Sequence, residues 1–305
     1  VSYDFADSEI NSFLGLDEHR EACLAMIRIP GNQRINSCAT DKLPEKFTLA
    51  SRVSAGEVFY PLTEQIHNSG SVIMASEKSD EMLNHIGISP SSWIKLPEPE
   101  HSPEIINYSE AVTRRRSLRN YVRTELPKDY LDFLLNLICC DSNELQRQTL
   151  CMTLIADQIT NLKSGCYLLN QTTSSIALSR EGSLTELMAH ICLDQKWLAN
   201  TSLNVCFTTN LNRLDALWGA RGYRYAMINA GRLAQRLYLG ATAIGIGSCG
   251  IGAFYDNEAS EIEDLNDESA MLYLMAIGSV KRVRNRNSGA IRKSPLIQHA
   301  NFQVF

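Results

Sequence analysis

Hydrophobic and polar positions recur with two different periods along this chain, and the switches between them mark its elements. The longest regular run covers 219–254, GARGYRYAMINAGRLAQRLYLGATAIGIGSCGIGAF. Within it Met227, Ala230, Gly231, Ala234, Leu237, Tyr238 and Ala241 fall at spacings of three and four, which predicts one helix face. Small residues there let another backbone come close, so the spacing predicts a buried central helix. Short apolar runs at 150–156, 166–169, 203–208 and 270–277 predict buried strands, and 251–254 a shorter one. Pro127 suits the first turn of a helix over KDYLDFLLNLICC, with Tyr130, Phe133, Leu134, Leu137 and Ile138 on one face. Further helices are predicted over EAVTRRR, capped by Ser109, over 184–200, and over an acidic stretch that starts near Asp256. Interleaved helices and strands of this kind make an α/β or α+β sandwich.

The first 31 residues read as a helix capped by Asp7 and a buried strand over 22–29, closed by Pro30-Gly31. That pattern returns near the other end. Phe5-Ala-Asp-Ser-Glu matches Phe254-Tyr-Asp-Asn-Glu, Leu16-Asp17 matches Leu265-Asn266, and ACLAMI matches AMLYLM after a one-residue gap. Residues 1–31 are therefore expected to be the tail of a preceding, degenerate copy. Residues 32–104, with LPEPEHSPE at their end, are expected to connect it to a complete domain over 105–305.

Composition narrows the function classes. A hydrophobic share of 44% with 21% charged residues describes a globular chain, and a net charge of -5 argues against a general nucleic-acid binder. Nine cysteines form no CxxC and the six histidines no HxH or HExxH, so spacing builds no metal site. Buried thiols, no run of about 18 apolar residues and no signal-peptide pattern make a cytoplasmic protein without a membrane span the expectation.

Charge is unevenly placed. Residues 256–268 hold seven acids and no base, whereas 279–293 hold six bases and no acid. Two readings stand for the basic stretch, a solvated tail and an anion site. A second cluster, RRRSLR, sets Arg115, Arg116, Ser117 and Arg119 at the end of a helix. The arginine fork matches phosphate oxygens and the serine hydroxyl adds a donor. Gly245-Ile-Gly-Ser-Cys-Gly250 is a literal GxGxxG, but it follows a helix where a dinucleotide fold requires a strand. Its glycines fit tight packing or backbone passing a flat ligand.

An arginine–serine–arginine segment, GARGYRYAMINAG, GIGSCGIGAFYD and AMLYLMAIGSVKR, in that order, resemble the nitroreductase-like FMN flavoproteins. Within them the sequence is most similar to the SagB-type dehydrogenases, which include oxidases of thiazolines and oxazolines and have tandem members. The resemblance implies an α+β sandwich whose mainly antiparallel sheet is flanked by helices around a buried central helix. It implies FMN at a dimer interface, with its phosphate held by Arg115, Arg116 or Arg119 together with Ser117, and by Lys281 and Arg282 or Arg284. Ile251 and Gly252 would pass the flavin ring through their backbone, and Ser142 and Asn143 stand where the family's ring-contacting loop is longer and richer in glycine. Where azoline oxidases resemble one another in a Lys-Tyr pair, this chain has Leu217-Trp218, so Tyr223 and Arg221 are the candidates at the substrate. The implied reaction passes hydride to flavin N5 from a peptide or small-molecule substrate, and dioxygen reoxidises the flavin. An NAD(P)H-dependent nitro or quinone reductase and a flavin-free scaffold of a peptide-modifying complex are the alternatives. A homodimer, or a pseudo-dimer with a preceding copy, is the expected assembly.

Overall fold

The computed structural model describes residues 2–18, 21–27, 58–71, 80–97, 103, 105–140 and 142–281. Seven strands in them form one antiparallel sheet: β1 (Ile94–Lys95), β2 (Cys151–Ala156), β3 (Gly165–Asn170), β4 (Ser175–Glu181), β5 (Leu203–Asn210), β6 (Gly247–Ile251) and β7 (Ser269–Gly278). Their spatial order is β1-β4-β3-β2-β5-β7-β6. The fold is thus the expected α+β sandwich.

Strand side chains alternate between two faces, so the sheet carries a core on each. Met152, Leu154, Val205, Phe207, Met275 and Ile277 meet helices α4 (Lys128–Cys139) and α8 (Arg221–Ala243). Ile155, Cys206, Leu274 and Ala276 meet α6 (Thr185–Ile191) and α9 (Asp256–Ile262). The expected central helix is α8, and its buried residues include Tyr225, Ala226, Asn229, Ala230, Leu233, Ala234, Leu237, Gly240 and Ala241. The buried stripe is rotated from the predicted one: Gly231 is exposed, Met227 is 36% exposed, and Asn229 and Leu233 are buried instead. Hydrogen bonding of Asn229 to Thr149 and Tyr3 makes a polar residue tolerable inside the stripe.

Other expectations change in detail. Residues 184–200 are not one helix: α6 ends at Ile191, Leu193 and Asp194 take positive φ of 60° and 56°, and a 3-10 turn follows at Lys196–Asn200. Asn107, and not Ser109, caps α3 (Tyr108–Arg114), accepting from the Glu110 N–H. β4 and α7 (Leu211–Trp218) are additional to the elements expected from the sequence. The predicted 251–254 strand lies earlier, inside the glycine motif. Gly245, at φ 76°, ends α8 with a bond from the Ile246 N–H to the Ala241 carbonyl and turns the chain into β6.

Residues 22–27 are not the buried strand expected there. Met26 forms a single bridge with Ser2, while Leu24 and Ile27 are 53% and 73% exposed. A strand buries its side chains only between neighbours, and among the described residues 22–27 has none beyond that bridge. The two matching sequence stretches nonetheless share geometry. α1 (Asp7–Leu14) starts at Asp7 as α9 starts at Asp256, and the Ser2–Met26 bridge occupies the aligned place of the Ile251–Leu274 rung. Part of the expected connector is core: Met82, Ile86 and Leu96 are buried, and β1 pairs with β4.

Candidate functional site

The two basic clusters meet at the β6 edge. Ser117 bridges Ser248 in parallel register, and the Leu118 N–H donates to the Ser248 carbonyl at 3.0 Å. Tyr121 bridges Val280, the Val122 N–H donates to the Ser279 carbonyl at 2.9 Å, and the Lys281 N–H to the Asn120 carbonyl at 3.1 Å. Arg115, Arg116, Ser117, Arg119 and Lys281 are thereby carried on two adjacent backbones. Arg116, Ser117, Arg119 and Lys281 are exposed and Arg115 is half-buried. Arg282 and Arg284 lie outside the described residues.

Aromatic side chains floor this edge. The Arg115 guanidinium sits 5.0 Å from the Tyr238 ring centroid, and that of Arg119 sits 6.0 Å from the Trp197 ring. Tyr121 stacks on Trp197 at 5.7 Å and donates its hydroxyl to the Ala276 carbonyl. The Tyr238 hydroxyl accepts from the Gly250 N–H at 2.6 Å and lies 2.8 Å from Ser117 Oγ. Burial, with the nearby Cys249 thiol and Tyr238 phenol, pushes the Tyr121 phenol far above its usual range.

Side-chain packing accounts for two of the glycines in the motif, since a Cβ on Gly247 would stand 2.2 Å from Val280 Cγ1. A Cβ on Gly250 would stand 1.8 Å from the Tyr273 hydroxyl, so a larger residue there would displace that ring. Ile251 is buried and Gly252 exposed, where a Cβ would meet nothing closer than the Tyr273 ring at 3.6 Å. Ser248 Oγ is buried with no hydrogen-bond partner, a donor left over beside Ser117.

The remaining candidates lie elsewhere. Asn143 caps α5 (Glu144–Thr149) by accepting from the Gln146 N–H, and Ser142 accepts from Arg147 through its carbonyl and hydroxyl. No hydrogen bond among the described residues joins either to the basic edge. Tyr223 is 50% exposed on the first turn of α8. It precedes Tyr238 by about four turns, a rise of about 22 Å along the helix.

Arg221 has to be corrected as a substrate residue, because it is 1% exposed and its donors are committed. Nε donates to the Tyr225 hydroxyl, Nη1 to Asp7 Oδ1 and the Gly70 carbonyl, and Nη2 to the Phe5 carbonyl. Arg224 holds the other Asp7 oxygen and the Cys23 carbonyl, and the Tyr225 hydroxyl donates to Asp4. Burial works against the Arg221 charge, but the bonds to Tyr225 and Asp7 outweigh it and raise its pKa. These residues tie the first segment to the central helix.

Sequence reasoning left out Tyr121, Trp197, Ser248 and Tyr273 at the site. It also placed Tyr238 on the helix face only as a packing residue. A single apolar or hydroxyl residue inside a strand or turn gives no signal of its own. Their roles come from the pairing of 117–122 with β6 and 279–281.

Comparison with known proteins agrees with this architecture. The model of the nitroreductase family matches residues 112–279. A curated relative from Methanocaldococcus jannaschii, "Putative nitroreductase MJ1384", is 28% identical over 194 residues, covering 61% of this chain and 95% of that protein. A crystal structure of a "putative nitroreductase" from Anabaena variabilis superposes with a TM-score of 0.65 at 22% identity. It is covered over 92% of this chain, which spans 59% of the length of the Anabaena protein. No helix among the described residues is long and apolar enough to cross a membrane.

Proposed function

The chain belongs to the nitroreductase family of oxidoreductases, and on that footing we propose an FMN-dependent enzyme of the SagB type that dehydrogenates azoline rings to azoles in a peptide or related substrate. One observation carries the flavin part: the backbone pairing that brings Arg115, Ser117 and Arg119 beside Lys281 and the β6 glycines. The residues present fit the group. The basic side chains suit a phosphate, the Ser248 hydroxyl is a spare buried donor, and Gly252 leaves its surface open.

FMN, when bound, supplies the hydride acceptor for the dehydrogenation. Arg115, Arg116, Arg119, Ser117 and Lys281 would hold its phosphate, with Ile251 and Gly252 presenting backbone toward the ring. Tyr223 would relay the substrate proton. Its separation from Tyr238 along α8 means it joins such a site only across an interface, which favours a homodimer or a pseudo-dimer with a second copy of the fold. The shared geometry of the repeat, with α1 and the Ser2–Met26 bridge set as in α9 and β6–β7, supports the second-copy reading. Ser142 and Asn143 fit this scheme only through backbone, since Asn143 Oδ1 is engaged in capping.

The visible spectrum of the purified protein tests the flavin reading. Flavin bands, or their recovery when FMN is added, are expected, and a colourless protein that takes up no FMN would refute it. The relative's name, a putative nitroreductase, favours a second reading, a reductase, and the electron donor of that reading is NAD(P)H. Steady-state reduction of the flavin by NADH would select it over azoline oxidation.

A further inference from the structure

Tyr238 connects the arginine–serine segment to β6, and chemistry fixes the direction of its bond with Gly250. The Gly250 N–H can only donate, so the Tyr238 oxygen accepts there at 2.6 Å. The phenol proton is then free to go to Ser117 Oγ, 2.8 Å away. Ser117, its oxygen occupied, has its own proton left to give. It faces solvent, so with the phenol as donor the serine proton is available to whatever binds at the edge. The same ring carries the Arg115 guanidinium at 5.0 Å, which fixes the cation over the aromatic face. Tyr273, packed where a Gly250 side chain would stand, backs the arrangement from the strand side.

We propose that Tyr238 is the positioning residue that makes this edge an oxyanion site, turning Ser117 into an outward donor and holding Arg115 beside it. The ligand chemistry is a phosphate monoester or free phosphate. The identification of that phosphate with FMN rests on the flavin reading above. Tyr238 itself touches no reacting atom. Its effect therefore falls on the part of affinity that the phosphate contributes, and leaves the ring's part alone.

The test is a fluorescence titration of the full chain with FMN and with riboflavin, which differ only in the phosphate. Tyr238→Phe keeps the ring under Arg115 and removes the hydroxyl. FMN affinity should fall about tenfold, the scale of a lost hydrogen bond to a charged ligand's site, while riboflavin affinity changes less than about twofold. Ser117→Ala should give the same loss, and the double variant no further loss, because the two act in one chain of bonds. Should Tyr238→Phe fail to fold, Ser117→Ala alone must reproduce the FMN-selective loss. Equal loss for both flavins, an unchanged preference for FMN, or additive losses in the double variant would each overturn the proposal. If the wild-type chain binds neither flavin, the flavin reading falls. The positioning role is then decided by calorimetry with inorganic phosphate, where tighter or equal binding by Tyr238→Phe overturns it and weaker binding sustains it.

Discussion

The two ends of the central helix carry arginines in opposite states. At the first turn, Arg221 and Arg224 close on Asp7, Tyr225 and the carbonyls of Phe5, Cys23 and Gly70, with Arg221 and Asp7 both out of solvent. Near the last turns, Arg115 lies on Tyr238 and Arg116 gives Nη1 to the Thr113 and Arg115 carbonyls, while Arg116, Arg119 and Lys281 face water with no carboxylate bonded to them among the described residues. The same residue type is structural where its donors are consumed and available for ligand where they are not. Position in a motif does not separate the two cases; the inventory of partners does.

The comparison is broken most forcefully at the closed end. Arg221→Met takes from the buried Asp7 carboxylate one of its two arginines, leaving it to Arg224, unpairs the Gly70 and Phe5 carbonyls, and should cost about 3–5 kcal/mol in denaturant unfolding. Replacing Asp7 by Leu in the same chain should restore only part of it, because Arg224 then loses its carboxylate. A loss below about 1 kcal/mol would mean that the network is not closed.

Glu263 sharpens the same contrast from inside the sheet. It is fully buried, with one oxygen accepting from the hydroxyls of Thr153 and Thr208 at 2.7 Å and the other unpartnered. Burial pushes its pKa up to about 7 from the ordinary 4.5, against the lowering effect of those bonds. The folded state therefore keeps a proton that the unfolded chain has released. Stability falls as pH rises from about 4.5 to about 7 and levels off above, with a total on the order of 3 kcal/mol at about 1.4 kcal/mol per unit. Glu263→Gln should flatten that part of the curve and raise the melting temperature at pH 8; an unchanged slope would show that the carboxyl is not protonated in the fold.

At the open end, Arg119→Ala should leave unfolding within about 0.5 kcal/mol of wild type. It should weaken FMN by about 1.5–3 kcal/mol, as for a charged hydrogen bond. A melt that drops while FMN affinity holds would move Arg119 into the closed class. The smallest expected effect is at Asn143. Removing a cap with Asn143→Ala should cost about 1 kcal/mol of stability and shift neither flavin. A selective loss of flavin would instead place this residue at the ring.

Much of the architecture was legible because periodicity reports burial. Apolar runs gave β2, β3, β5 and β7, and small residues spaced by three and four gave α8. β4 escaped because Ser175, Ser179, Arg180 and Glu181 interrupt its apolar positions, and its pairing with β3 is what holds it as a strand. Residues 22–27 misled for the opposite reason. Their apolar sequence matches β7, yet a strand's burial is conferred by neighbours, and among the described residues only Ser2 pairs with them.

The site divides in the same way. Chemistry intrinsic to a residue was readable along the chain: arginine forks, an adjacent serine, glycines that permit close approach. The sequence by itself determined the family resemblance, the sandwich class and the two basic segments, because each is written in local spacing. Tertiary structure alone decided that Lys281 lies alongside Asn120, that Tyr238 reaches Ser117 and Gly250, and that Arg221 is buried against Asp7. Those are contacts between segments far apart along the chain. Which partners consume a donor is set by folding, and that decides whether the donor serves the fold or a ligand.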